Sequence, residues 1–254
     1  MRKKILLLII AVFMLMSCFW IIIPHYSSKD GLCILGYHGV VSDEDKEALY
    51  KDDRYTLSKS QFERQMKYLY DHHYDTYSMK DVYDYYNGMI DVSKKAVVLT
   101  FDDGYKNFNE IVKPILEKYH FYGTCFVIGK HLDDDKEQFL KYEDIVDSEY
   151  VEYYSHSYNL HRKAEGFDRK IIEDMSNEDI SLDFQRFPLD STYFAFPYGR
   201  SIAGIEEVLI ENNVKLAFSY NQFRHMQRTD DQYYLPRYMI IDWMFDSYFQ
   251  WIVE

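Results

Sequence analysis

The sequence has few cysteines: Cys18, Cys33 and Cys125 are the only three in 254 residues. This number rules out a framework of several disulfides. Cys18 falls in an apolar amino-terminal run, whereas Cys33 and Cys125 each lie in a strand-like apolar stretch. A thiol in such a stretch behaves as a small buried apolar group, so we expect two buried thiols rather than a disulfide.

Basic residues are also scarce. Lys and Arg number 29 against 42 Asp and Glu, and the formal net charge is −13. Because three of the basic residues precede position 5, the rest of the chain carries about −16. A domain this acidic is unsuited to nucleic acid and to anionic lipid surfaces, so no nucleic-acid partner is expected. It suits a neutral or cationic polymer, although simple solubility is an alternative explanation.

Internal repeats and low-complexity tracts are absent, and 47% of the residues are apolar. Such a composition supports a packed core and excludes a disordered chain. The length of 254 residues suits one α/β domain as well as two. Tyrosine is abundant, at 26 residues, and its rings stack well on sugars, although compositional bias accounts for most of them.

One long apolar run is present, at the amino terminus. Three basic residues at positions 2–4 precede an uncharged stretch of 19 residues, 5–23, which is long enough to cross a bilayer as a helix. Positive charge before the stretch predicts that the remainder of the chain lies outside the cell membrane. We therefore divide the chain into a membrane anchor or uncleaved signal, 1–24, and a domain, 25–254. A cleaved signal, which would release the domain to the outside or the cell wall, and a lipid on Cys18 are the alternatives.

The chain is organised around the stretch Val97–Tyr105, in which a short apolar strand runs into Asp102, Asp103 and Gly104. A continuous apolar run is typical of a buried parallel strand, and α/β folds place their chemistry at the carboxyl ends of such strands. Side chains alternate along a strand, so we expect the turn at Gly104 to bring both carboxylates toward one cavity. A cation bound there would let both stay ionised. A helix N-cap is the alternative, and it accounts for one aspartate better than for two.

A second candidate cluster is the pair His156 and His161, which follows a strand-like stretch, 150–155. A spacing of five turns the two rings away from each other on a straight helix, unlike the spacing of a helical zinc site. Convergence therefore requires one histidine at a strand end or loop and the other on the first turn of a helix. Neutral imidazole and carboxylate together suit zinc or a similar first-row metal. Two loop histidines without a shared ligand are the alternative.

Strand-like and helix-like stretches alternate along the chain, which implies a parallel sheet. Six to eight such units predict a distorted or incomplete (β/α) barrel of about seven strands, behind an amino-terminal transmembrane helix. The predicted strands are 32–41, 97–101, 123–129, 150–155, 193–197, 215–220 and 234–240. The predicted helices are 58–72, 77–87, a helix to about residue 120 that either kinks at Pro114 or begins late, 136–148, 168–185 and 202–213.

Three short motifs follow one another in order: Thr100–Tyr105, His156–His161 and Phe194–Gly199. Their residues, order and spacing resemble the polysaccharide deacetylases, the NodB-homology domain of carbohydrate esterase family 4. The resemblance covers about residues 32 to 241. Within that family, the stretches Cys33–His38 and Tyr234–Arg237 are most similar to the poly-β-1,6-N-acetylglucosamine N-deacetylases of biofilm systems.

The resemblance implies a metal-dependent hydrolase that removes N-acetyl groups from a polysaccharide. Asp103, His156 and His161 would hold a divalent metal, with zinc the expected ion, and would leave a coordination position open. Asp102 would act as the general base toward a water molecule acidified by the metal. The backbone N–H of Tyr198 would help to stabilise the tetrahedral oxyanion.

Two departures from the family pattern direct attention to other residues. Most members supply the general acid from a Leu-x-His motif near the carboxyl end, which is missing here. The biofilm subgroup resembles a circular permutation in which the front strand supplies the acid, so His38 is the candidate. A core or turn histidine satisfied by the backbone is the alternative. Many members also carry an arginine that orients the base where this chain has Ala195. Arg237 is the candidate replacement. Arg237 and Trp243 are also candidate substrate contacts. The alternatives are that Arg237 pairs with surface acids and that Trp243 packs at the barrel end.

We therefore expect a monomeric, membrane-tethered N-deacetylase of an extracellular N-acetylglucosamine polymer, most simply poly-β-1,6-N-acetylglucosamine. Peptidoglycan, chitin-like oligomers and acetylated xylan are the alternative substrates. A catalytically dead carbohydrate-binding module is an alternative of another class, suggested by the missing arginine and the missing carboxyl-terminal histidine. A glycosidase is disfavoured, because adjacent acids at one strand end cannot readily flank a glycosidic bond.

Overall fold

The computed structural model describes residues 29–146, 148–161, 175–200 and 204–254. The strands are β1 (Cys33–Tyr37), β2 (Val40–Val41), β3 (Leu57–Ser58), β4 (Asp75–Thr76), β5 (Ala96–Phe101), β6 (Gly123–Val127), β7 (Val151–Ser155), β8 (Tyr193–Ala195), β9 (Leu216–Phe218) and β10 (Tyr238–Met239). The α-helices are α1 (Asp43–Ala48), α2 (Lys59–Asp71), α3 (Met79–Tyr86), α4 (Lys113–Tyr119), α5 (Asn177–Arg186), α6 (Glu206–Glu211) and α7 (Asp246–Val253).

Seven strands form one curled sheet in the order β10–β1–β5–β6–β7–β8–β9, and β4 pairs with β5 outside this path. All of these pairings are parallel. Helices or long loops connect the strands, as parallel pairing requires. The predicted incomplete (β/α) barrel of about seven strands is therefore confirmed as an α/β half-barrel.

The segment 232–237 joins the two ends of the curled sheet. The Leu235 N–H donates to the Ala217 carbonyl of β9 (2.9 Å), and the Ser219 N–H donates back to the Leu235 carbonyl (2.8 Å). The segment then continues as β10, which pairs with β1. The last residue of the segment, Arg237, is 0% exposed, so a charged side chain is buried where the sheet closes on itself.

Apolar side chains cover both faces of the sheet. On β1, Leu35 and Tyr37 belong to the cluster that includes Phe62 of α2, whereas Ile34 belongs to a second cluster with Val98 of β5. This alternation is the two-residue period of a strand. On β5 the same alternation places Thr100 and then Asp102 on the side of Val98, opposite the cluster that includes Phe62 of α2.

Two predicted helices are confirmed together with their caps. The predicted helix 58–72 is α2, whose N-cap Ser58 accepts a backbone N–H in its first turn. The predicted helix 77–87 is α3, where Ser78 and Asp81 form a reciprocal capping box. Such side chains satisfy the backbone donors that a helix start leaves unpaired, which is why the caps are visible in sequence.

The segment after Gly104 also follows its prediction, because α4 begins at Lys113 with Pro114 in the first turn. A π-helical stretch, Phe108–Val112, precedes it. Proline has no N–H for the interior of a helix, so the regular helix starts where proline is tolerated. Cys33 and Cys125 are both buried free thiols, as predicted.

The predicted helix 136–148 is wrong. The described part of this segment contains only a short 3-10 turn, Tyr142–Asp144. The Lys141 ammonium donates to the carbonyls of His131 and Lys136, both 3.0 Å away, so a side chain satisfies backbone groups in the loop. Local helix propensity is overridden by these contacts.

The predicted membrane segment, 5–23, lies outside the described residues, as do residues 168–174 of the predicted helix 168–185 and residues 202 and 203 of the helix 202–213. In the part of the chain that is described, no helix has both the length and the apolar character needed to span a bilayer. The anchor stays a prediction.

His225 couples the fold to pH. Its Nε2 lies 2.8 Å from the Ile252 carbonyl of α7, and burial lowers the pKa of the imidazole despite that hydrogen bond. When the folded pKa lies below the unfolded value of about 6.5, the unfolded chain takes up a proton first as the pH falls. Stability is therefore lost as the pH drops below about 6.5.

We predict that His225→Gln flattens the fall in the free energy of unfolding between pH 7 and pH 5, because the group that titrates differently in the two states is gone. Urea denaturation at several pH values measures this slope. His73→Asn removes an exposed histidine and is the matched control, for which the slope should stay that of the wild type. An unchanged slope in His225→Gln would contradict the prediction.

Candidate active site

The two adjacent aspartates lie at the carboxyl end of β5, where the chain turns sharply. Asp103 has φ 73° and Gly104 has φ 72°, so the reversal begins one residue earlier than predicted. Aspartate is among the residues that tolerate this left-handed region. At Gly104 a Cβ atom would lie 2.9 Å from a methyl of Val127, so a side chain there would also clash. The turn brings Asp102 and Asp103 to the same cavity, as expected.

The two histidines meet at the end of β7. His156 follows the strand directly, Ser157 has φ 72°, and His161 ends the described part of the loop. The carboxylate of Asp183 accepts the N–H groups of residues 158 and 159, both at 2.8 Å, and thereby fixes the loop between the histidines. The Nε2 atoms of His156 and His161 are 3.0 Å apart.

Asp103 completes a triangle of ligand atoms. Its Oδ1 lies 3.5 Å from Nε2 of His156 and 3.7 Å from Nε2 of His161. Two atoms that each lie about 2.0–2.2 Å from a tetrahedral zinc ion are roughly 3.3–3.6 Å apart. In the described ranges these three residues form the one group suited to hold a metal ion. The donor set therefore fits a divalent metal, and the three separations of 3.0, 3.5 and 3.7 Å lie around the tetrahedral value.

The protonation states of the histidines also fit a metal. Burial lowers the pKa of His156, and it lowers the pKa of His161 further below the usual value, with neighbouring His156 adding to the effect. Nδ1 of His156 lies 2.7 Å from the Ala195 carbonyl, so the proton of a neutral ring sits on Nδ1 and the lone pair on Nε2 faces the cluster. Such a backbone contact is typical of metal-binding histidine.

Asp102 forms a buried ion pair with Arg237. The guanidinium donates to Oδ1 at 2.7 Å and to Oδ2 at 2.8 Å, and it also donates to the Thr100 hydroxyl at 2.9 Å. Burial alone would raise the pKa of Asp102, but the Arg237 charge outweighs it and holds the pKa well below the usual value. Asp102 is therefore ionised at any physiological pH.

The roles considered for Arg237 and Trp243 can now be corrected. Arg237 is 0% exposed and lies beneath the cavity, so it contacts neither a substrate nor a surface acid. Its contacts are those of a residue that orients Asp102. Trp243 is 62% exposed, so packing at the barrel end does not fit it, and its role as a substrate contact stays a prediction.

His38 interrupts the predicted strand 32–41 and separates β1 from β2. Its ring lies 6.3 Å from the Tyr220 ring, nearly parallel, and 5.4 Å from the Tyr55 ring. Its Nδ1 is buried without a hydrogen-bond partner among the described residues. The alternative of a turn histidine satisfied by the backbone does not fit this environment. The ring lines the same cavity as Asp102 and the metal-ligand candidates.

Tyr198 lies at the end of β8 with φ 60° and ψ 10°, a conformation that non-glycine residues rarely adopt. Its hydroxyl donates to the His161 carbonyl, which ties this turn to the histidine loop. Backbone strain of this kind accumulates at functional sites. Tyr198 and Gly199 both line the cavity.

The cavity has a volume of about 280 Å³. It is lined by residues from the carboxyl ends of several strands, including His38, Asp102, Asp103, His156, His161 and Tyr198. Parallel strands point their carboxyl ends to one side of a sheet, so residues far apart in sequence meet there.

Two tyrosines also belong to the site: Tyr105 stands in the first motif, whereas Tyr220 is one of 26 tyrosines and has no distinguishing signal in the sequence. The Tyr220 hydroxyl donates to Oδ2 of Asp102 at 2.7 Å. Tyr105 lines the same cavity, and its ring stacks on Phe139 with centroids 5.0 Å apart.

The comparison with known proteins points to one family. A family model described as polysaccharide deacetylase matches residues 90–217. The poly-beta-1,6-N-acetyl-D-glucosamine N-deacetylase of Staphylococcus aureus strain MSSA476 is 28% identical over 208 residues, which cover 76% of this chain and 70% of that protein. The Escherichia coli O157:H7 protein of the same name is 28% identical over 190 residues, which cover 63% of this chain and 27% of that protein.

Solved structures share the fold. IcaB from Ammonifex degensii aligns with a TM-score of 0.74 at 23% identity, over 89% of this chain and 97% of that one. A de-N-acetylase from Aggregatibacter actinomycetemcomitans aligns with a TM-score of 0.72 at 21% identity, over 87% and 99%. The family model spans half of the chain, including all three motifs around the cavity. The chain therefore belongs to the polysaccharide deacetylase family of enzymes.

Proposed function

We propose that this enzyme removes N-acetyl groups from an extracellular polymer of N-acetylglucosamine, with poly-β-1,6-N-acetylglucosamine as the substrate and zinc as the metal. The observation that carries the proposal is the convergence of Asp103, His156 and His161 on one point, beside a buried ionised Asp102. A metal site with a neighbouring free carboxylate is the arrangement that amide hydrolysis requires.

The polymer is chosen from the relatives and from the charge of the chain. The relatives from S. aureus and E. coli both carry the name of a poly-β-1,6-N-acetylglucosamine N-deacetylase. A net charge of −13 suits a polymer that is neutral at first and becomes cationic as acetyl groups leave. Peptidoglycan, chitin-like oligomers and xylan are the competing substrates. Family membership favours any of these over a catalytically dead binding module.

Zinc is supported by the ligand set, because two neutral imidazoles and one carboxylate match the catalytic zinc sites that keep a position open. When bound, the ion acidifies a water molecule and polarises the acetamide carbonyl. The chain holds His156 in place through a contact behind it, since its Nδ1–H donates to the Ala195 carbonyl. Such outer contacts fix ligand orientation.

Different residues around the metal site carry out the two proton transfers. Asp102 takes a proton from the attacking water, and the water oxygen bonds to the acetamide carbon. His38 gives a proton to the nitrogen as the C–N bond breaks, which yields acetate and a free amine. The N–H of Tyr198 donates to the oxyanion that forms on the carbonyl oxygen. All three residues line the cavity.

The location is also part of the proposal. An apolar stretch of 19 residues, 5–23, preceded by three basic residues, would hold a single chain in the membrane with its domain outside. An enzyme placed there meets a polymer as it leaves the cell.

We predict that Asp103→Ala and His161→Ala each lower the affinity for zinc by more than 100-fold, because each removes one of three ligands. Chelator competition on the purified domain measures the affinity, and circular dichroism checks the fold. His72→Ala, which removes an exposed histidine, should bind zinc like the wild type. Wild-type zinc affinity in Asp103→Ala would refute the metal site.

We predict that the wild type releases acetate from β-1,6-linked N-acetylglucosamine oligomers and not from peptidoglycan. Asp102→Asn should lower kcat by about 10²–10⁴-fold with zinc still bound, because the amide cannot accept the proton. Acetate release and zinc content are measured on the same samples. Faster release from peptidoglycan would reassign the substrate, and an active Asp102→Asn would remove Asp102 as the base.

We predict that Arg237→Met lowers the free energy of unfolding by about 3–5 kcal/mol, because it leaves the Asp102 carboxylate buried and unpaired. Urea denaturation gives the value. Arg64→Met is the matched control: Arg64 pairs with Asp246 at 3.5 Å on the surface, so its loss should cost about 1 kcal/mol or less. An equal cost for the two variants would contradict the importance of the buried pair.

A further inference from the structure

Tyr220 lies beside Asp102, His38 and the turn that contains Tyr198, without belonging to any of the three motifs. It follows β9 and lies partly buried at the wall of the cavity. Its hydroxyl donates to Asp102, its ring faces the His38 ring, and its N–H donates to the Gly199 carbonyl, next to Tyr198.

The hydroxyl limits where Asp102 can accept a proton. A carboxylate offers about four lone-pair sites, two on each oxygen. Arg237 takes one site on each oxygen, and Tyr220 takes the second site on Oδ2 at 2.7 Å. No other donor to Asp102 lies among the described residues, so one acceptor site remains, on Oδ1. Without the Tyr220 hydroxyl, Oδ2 would have a second open site.

The ring of Tyr220 fills a space that two glycines leave for it. A Cβ atom on Gly36 would lie 2.5 Å from the Tyr220 hydroxyl, and one on Gly199 would lie 2.2 Å from its ring. The guanidinium of Arg237 lies 4.5 Å from the ring centroid on one side, and the His38 ring lies 6.3 Å away. The ring therefore lies between Arg237, which pairs with the base Asp102, and His38, the candidate acid.

We propose that Tyr220 is a positioning residue for deacetylation: its hydroxyl directs the one open acceptor site of Asp102, and its ring sets the place of the His38 imidazole. This role rests on the proposed function, since it presumes that Asp102 and His38 exchange protons with the substrate. Tyr220 touches none of the metal ligands through its hydrogen bonds, so its effect is on proton transfer and not on metal binding.

The test compares three tyrosine variants by steady-state acetate release from a β-1,6-linked N-acetylglucosamine oligomer. Tyr220→Phe keeps the ring and removes the hydroxyl, so kcat should fall about 10- to 100-fold, as expected for one hydrogen bond to a charged group. KM should stay within about threefold, because the hydroxyl points to Asp102 and not to the substrate. Tyr220→Leu also removes the wall behind His38 and should lower kcat by a further tenfold or more.

Tyr238→Phe is the matched control. Tyr238 is 0% exposed, and its hydroxyl has no hydrogen-bond partner among the described residues. Tyr238→Phe therefore measures the general effect of removing a buried tyrosine hydroxyl, and its kcat should stay within twofold of the wild type. Zinc affinity, by chelator competition, should be unchanged in all three variants.

The outcomes separate the two proposals. If Tyr220→Phe keeps wild-type kcat, or loses kcat only together with zinc affinity or melting temperature, Tyr220 is not a positioning residue. A selective loss of kcat with KM, zinc affinity and melting temperature retained supports the role. If the wild type releases no acetate from the oligomer, the proposed function itself fails, and this role fails with it.

Discussion

The buried ion pair between Asp102 and Arg237 connects the closing of the sheet to the chemistry of the site. Arg237 ends the segment that joins β9 to β10, and Asp102 ends β5 in the middle of the sheet. Both side chains are almost wholly removed from water, where an unpaired charge of either sign would be strongly unfavourable. The pair therefore makes the position of the last strand and the ionisation of Asp102 depend on each other.

The two adjacent aspartates have different surroundings because a strand alternates its side chains. Asp102 continues the inner face of β5 and meets Arg237 and Tyr220. Asp103 leaves the strand through a left-handed turn and meets the two histidine rings. One carboxylate is thus held by protein donors, while the other is directed toward a metal. Two neighbouring acids with separate partners are what a metal-assisted hydrolysis with a protein base needs.

Much of the fold follows from local patterns. Short apolar runs predict the strands, and serines before apolar helical stripes predict the starts of α2 and α3, because cap and stripe are local features. The helix predicted over 136–148 does not form, because its loop is held by contacts of Lys141 that no local pattern reveals. The high exposure of Trp243 likewise follows from packing and not from any local pattern.

The types and spacing of Asp102, Asp103, His156 and His161 already indicate a metal and a spare carboxylate before any fold is known. Resemblance to a family also makes His38 and Arg237 candidates for two missing parts. The contacts of Arg237 and Tyr220 with the Asp102 carboxylate, in contrast, become visible only in the folded chain. These contacts join residues more than a hundred positions apart, and the curling of a parallel sheet, not any local preference, brings them together.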